Sequence, residues 1–99
     1  MIRMEDKVFV LIFSKTNSKF TVSGYEIGKR TGIDSSLISK LRLGQREIEG
    51  LSIKTGRRLE RCYDELAAEG VISWLDNLTP AMNTYEKLER KNMSKGKSN

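Results

Sequence analysis

Across residues 24–43 the apolar positions recur with helical spacing and are interrupted once. Ile27 supplies an apolar contact in a first helix, Thr31 and Gly32 end it, and Ile33 returns the chain to the core. Leu37, Ile38 and Leu41 then fall on one face of a second helix. Gly32 is free to take the left-handed conformation that a position just past a helix needs. Asp34 suits the cap of the next helix. Gly28 costs about 1 kcal/mol against Ala inside a helix, which points to another helix passing close to it. Ser35, Ser36, Ser39, Lys40 and Arg42 are left on the outer face.

Elsewhere the pattern is punctuated by caps and glycines. Ser23 followed by Glu26 has the spacing of a capping box and predicts a helix ending at Thr31; the next runs over 35–43 and stops at Gly44. Ser52 predicts the cap of a helix reaching about Ala68, and Gly70 separates it from the apolar segment 71–78. Thr79 and Pro80, in cap-then-first-turn order, predict another helix with Ala81, Tyr85 and Leu88 on one side. Residues 15–21 read as a polar loop. Residues 5–14 are ambiguous, because the run 8–13 favours a strand by propensity. Past Lys91 the apolar periodicity ends, and a disordered basic tail is expected over 92–99.

The positions Gly28, Gly32, Ile33, Ile38 and Leu41 together resemble the helix-turn-helix of the lambda-repressor/Cro-like family, also called the XRE family. The resemblance continues through Leu43, Gly44, Gln45 and Arg46, similar to a loop where the family carries a glycine and a basic residue. It extends into 51–59, similar to the family's fourth helix, and covers roughly residues 4–66. Glutamines that the family often carries in both helices are replaced by Gly24 and by Ser35 or Ser36. The resemblance implies an all-α fold: a small helical bundle of the lambda-repressor-like helix-turn-helix type with one or two extra C-terminal helices. Residues 1–68 would form the DNA-binding domain, with 5–14 as its first helix, and 69–91 a C-terminal helical extension.

The resemblance also distributes roles. A recognition helix offers its N-terminal half to base edges in the major groove, which assigns base contacts to Ser35, Ser36, Ser39 and Lys40. Phosphate contacts fall to Ser23, Tyr25, Arg42 and Arg46, at a helix start and around the end of the recognition helix. Val71, Trp74, Leu75 and Leu78 are too apolar for a linker. They either cover the core or join two copies, and the family's habit of binding as dimers implies a homodimer. Lys54, Arg58 and Arg61 share a helix face and read as a solvated surface.

Composition agrees. The 99 residues carry a net charge of +5, which suits a polyanionic partner, and the charge is uneven. Eleven Lys or Arg against five acids lie between Lys15 and Arg61, whereas residues 62–86 hold five acids and no base. With one cysteine and no histidine, neither an intramolecular disulfide nor a zinc cluster is expected. Cys62, on the stripe Leu59, Cys62 and Leu66, reads as a small buried hydrophobe. No nucleophile motif is present, so no enzyme activity, metal or cofactor is expected. The run 8–13 is far shorter than the roughly 20 residues of a membrane span. Acidic Glu5 and Asp6 before it argue against a signal peptide, and a cytoplasmic location follows.

The expected function is a transcriptional regulator that binds double-stranded DNA sequence-specifically, a repressor of phage, plasmid or mobile-element origin. The alternative is a protein-binding module that keeps the helix-turn-helix as scaffold. Such an antirepressor, antitoxin or inhibitor of a host nucleic-acid enzyme would use residues 63–78 against a protein partner.

Overall fold

The run that propensity assigns to a strand is helical. A computed structural model describes the backbone of residues 2–97 and the side chains of residues 2–91. In it α1 (Met4–Phe13) buries Val8, Val10, Leu11, Ile12 and Phe13. α4 (Ile53–Ala68) and α5 (Trp74–Lys97) pack on this helix. A helix apolar on nearly every side is stable only at the centre of a core. Burial of a large apolar side chain stabilises by about 1.5–3 kcal/mol, against a helix-propensity cost of up to about 0.7 kcal/mol per residue, so tertiary packing decides. The result is a small all-α bundle, with α2 (Gly24–Thr31) and α3 (Ser35–Arg42) completing it and a 3-10 turn at Ile48–Gly50.

The segment expected as a polar loop after α1 is an antiparallel hairpin of β1 (Lys15–Thr16) and β2 (Lys19–Phe20), with Lys15 opposite Phe20. Asn17 and Ser18 both have positive φ, at 54° and 68°, the sign pattern of a tight hairpin turn of type I′. Such turns are usually announced by Asn-Gly or Asp-Gly; the serine hides this one.

The helix ends follow the caps in the sequence. The Ser23 hydroxyl accepts from the Glu26 amide at 3.0 Å, Asp34 Oδ1 from the Ser36 amide at 2.9 Å, and the Ser52 hydroxyl from the Thr55 amide at 3.1 Å. Gly32 closes α2 in the left-handed region, its amide donating to the Gly28 carbonyl. Gly44 and Gly70 close α3 and α4 through Schellman pairs: Gln45 donates to Lys40 and Gly44 to Leu41, and likewise Val71 to Leu66 and Gly70 to Ala67.

α5 differs from expectation. It starts at Trp74, ahead of Thr79, and carries Pro80 inside it, so the apolar segment 71–78 supplies its first turns and the C-terminal extension is one helix. Ser73 makes this earlier start possible. Its hydroxyl accepts from the Asp76 amide at 3.1 Å, while Asn77 Oδ1 accepts from the Ser73 amide at 2.8 Å, a reciprocal cap related to the capping box but closed by a side chain one position further on. The backbone of α5 continues to Lys97; the rest of the expected tail lies outside the described residues. Among those residues no helix is long and apolar enough to cross a membrane.

Asn77 and Ser14 are the buried polar side chains of the core. Asn77 Nδ2 donates to the Ser14 hydroxyl at 2.8 Å, which shares a hydrogen bond with Thr21 at 2.9 Å, and Thr21 shares another with Thr16. This chain of groups ties the start of α5, the end of α1 and the hairpin together, each buried polar atom answered as burial demands.

Candidate nucleic-acid interface

Two glycines set how closely α2 and α3 approach. A Cβ on Gly24 would meet Ile38 Cγ2 at 3.6 Å, and one on Gly28 would stand 2.9 Å from the Ile33 carbonyl oxygen and 3.7 Å from the Ser35 amide. The start of α2 therefore lies beside the middle of α3, and the end of α2 beside the start of α3. With Ile38 and Leu41 buried inward, α3 turns Ser35, Ser36, Ser39 and Lys40 to solvent. Ser23 is also exposed, and Tyr25 is 75% exposed. These two flank Gly24, which itself stands against Ile38 of α3.

Arg46 follows the α3 terminus and also borders a cleft between α1 and α5. The Lys40 carbonyl accepts from the amides of Gln45 at 2.8 Å and Arg46 at 3.3 Å, which folds the loop back under the helix. Both Lys40 and Arg46 are exposed and, among the described residues, form no ion pair. Three serine hydroxyls and an ammonium thus share the outer face of α3, with Ser23 and Tyr25 exposed at the start of α2 and Arg46 exposed in the loop that follows α3. Such a set can donate to phosphate oxygens and to base edges.

Arg42, expected at phosphate, is placed elsewhere. Its guanidinium donates to the carbonyls of Ile12 at 2.7 Å and Val22 at 2.6 Å, with a longer contact to Leu11 at 3.4 Å, and its carbon lies 4.0 Å from the Phe20 ring centroid. Burial pushes its pKa down to about 10, which leaves it charged at neutral pH. The end of α1 draws it inward: the last carbonyls of a helix lack partners, and this cation caps them while tying α3 to the hairpin. At a helix end it also meets the negative pole of the dipole.

Arg30 is likewise internal to the fold. It bonds Glu26 at 2.7 Å within α2 and Glu69, at the C-cap of α4, through both terminal nitrogens at 2.7 and 2.8 Å. Its carboxylate partners raise its pKa, and it holds Glu69 below the usual carboxylate range. Lys7 ties α1 to Asp64 of α4 at 2.9 Å. Lys29 stays exposed beside the candidate surface, and Lys54, Arg58 and Arg61 are exposed on α4.

The segment 71–78 divides. Trp74 and Leu78 pack against the core, whereas Val71 is 44% exposed and Leu75 91% exposed. Cys62 is buried, its thiol pushed up to about 11 by desolvation. Sequence reasoning passed over one concavity: a cleft of about 360 Å³ between α1, α5 and the loop after α3, lined by Phe9, Phe13, Tyr85 and Leu88 among others. Its residues come from three separate segments, so only the folded chain shows them together. No known protein family, curated protein or solved structure matches the chain.

Proposed function

We propose that this protein is a sequence-specific DNA-binding transcriptional regulator of the lambda-repressor/Cro-like type, acting as a repressor of phage, plasmid or mobile-element origin. The observation that carries the reading is the outer face of α3. Ser35, Ser36, Ser39 and Lys40 stand free on a helix whose opposite side is locked into the core, next to the exposed start of α2 and Arg46. In this reading α3 enters the major groove. Lys40 donates to guanine O6 or N7, the serines donate or accept at neighbouring positions, and Ser23, Tyr25 and Arg46 fix the phosphates. Selection of bound sequences from random duplex DNA tests it. Recovery of a defined site, with binding that weakens steeply as salt rises, is the expected result, and an inverted repeat would establish a two-fold assembly. Absence of any enriched sequence overturns the reading.

A second reading draws on the apolar surface of the C-terminal region. Val71, Leu75 and Met82 are exposed there, next to a stretch with five acids and no base between residues 62 and 86. That surface suits a second copy of the chain or a different protein, and the antirepressor, antitoxin or inhibitor class would use it. Tight binding to a protein with only sequence-blind DNA affinity would favour this reading.

A further inference from the structure

We propose that the cleft between α1, α5 and the loop after α3 binds a small organic cation, an ammonium carried on an aromatic or aliphatic body. Its volume, about 360 Å³, falls in the range of small-molecule sites. Tyr85 meets Phe9 and Phe13 edge to face and the two Phe rings are tilted against each other along one wall, with ring centroids 5.1–5.4 Å apart, and Leu41, Ile48 and Leu88 add aliphatic lining. An apolar body fits such walls, and aromatic faces attract a cation.

The charge at the mouth selects the sign. Glu47, Glu49 and Glu89 border the cleft against a single guanidinium, that of Arg46. Among the described residues none of the three carboxylates forms an ion pair. All three act on one point: the Tyr85 hydroxyl is raised first by burial and then by Glu89, Glu49 and Glu47. An anion entering here would meet three like charges, so a nucleotide phosphate is the wrong occupant and an ammonium the right one. The site stands independently of the DNA-binding reading and would survive its failure.

Titration of the protein with 2-phenylethylammonium, 2-phenylethanol and 3-phenylpropanoate, followed by amide and aromatic chemical shifts, tests the proposal. The ammonium is expected to move the resonances of Phe9, Phe13, Tyr85 and Leu88 and to bind about twofold to fivefold more tightly than the alcohol, the scale of one exposed cation–π contact. The propanoate should be weakest. In the double variant Glu49→Gln, Glu89→Gln both changes are at exposed positions, so the fold is retained while the preference for the cation falls. Equal binding of alcohol or anion, shifts outside the cleft, absence of binding by any of the three, or a preference undiminished in the double variant would each overturn it.

Discussion

At Gly28 two opposing effects meet. Alanine in place of a mid-helix glycine normally stabilises a helix by about 1 kcal/mol, but here the added carbon would press on the Ile33 carbonyl at 2.9 Å. That neighbour is backbone in the turn between α2 and α3 and cannot rotate away. Gly28→Ala is therefore expected to lower the melting temperature seen by circular dichroism; a rise would mean that the turn yields easily. Arg42 offers a sharper case. Arg42→Met keeps the aliphatic stem and leaves the carbonyls of Ile12 and Val22 without their donor, at a cost of about 1.5–3 kcal/mol for charge-assisted bonds. Urea unfolding should show that loss, while the salt dependence of DNA binding stays unchanged, as a phosphate contact would not allow. Cys62 contributes to the alkaline pH dependence. Its thiol is raised from 9.0 to about 11, so the folded state holds the proton more tightly than the unfolded chain. This contribution is complete below pH 9 and is lost as pH rises towards 11. The alkaline decline should be shallower in Cys62→Ala by roughly 2–3 kcal/mol at most, and identical pH profiles would place the thiol near solvent.

At the scale of elements, what could be read in advance was whatever rests on local chemistry. Ser23, Asp34 and Ser52 cap three helices, and Gly32, Gly44 and Gly70 end them, because a cap needs only its neighbours within four residues. The nature of α1 lay beyond local reading: its β-branched and aromatic run becomes a helix only because α4 and α5 surround it. The hairpin was hidden by Ser18 in a conformation glycine usually fills, and the start of α5 by the stronger signal of Thr79-Pro80. Arg42 looked like any basic residue on an outer face; its true partners are carbonyls twenty or more positions away. The exposed positions of α3 were legible from periodicity, and they carry the functional prediction. Lys40→Ala is expected to weaken binding to the selected site by about 1–3 kcal/mol and to relax one base position. Arg46→Ala should weaken specific and random DNA alike and lower the salt slope by about 0.9. A loss at Arg46 confined to the selected site would make it a base reader.

For the molecule as a whole, the division of the segment 71–78 decides how assembly must be tested. Trp74 packs on the core, so Trp74→Ala would destabilise the fold and leave oligomeric state unread. Leu75 is nearly free of contacts at 91% exposure. If two copies join through it, Leu75→Lys should convert a dimer to a folded monomer in sedimentation, because a buried unpaired ammonium opposes an interface strongly. A wild-type chain that is already monomeric at high concentration would remove the homodimer from the proposal.

The hydrogen-bonded series from Asn77 through Ser14 to Thr21 and Thr16 means that α5 is not an appendage to a self-sufficient bundle of α1 to α4. Lifting it away would strip apolar cover from α1 and leave the Ser14 hydroxyl and the Asn77 side-chain amide short of each other, so the two halves open together or hardly at all. Amide hydrogen exchange should then report one slow cooperative unit, with Leu11 and Ile12 in α1 and Ala81 in α5 exchanging through the same opening. Any signal that loosened this helix, from a partner or a ligand, would be felt across the bundle as a change in how firmly α3 is held.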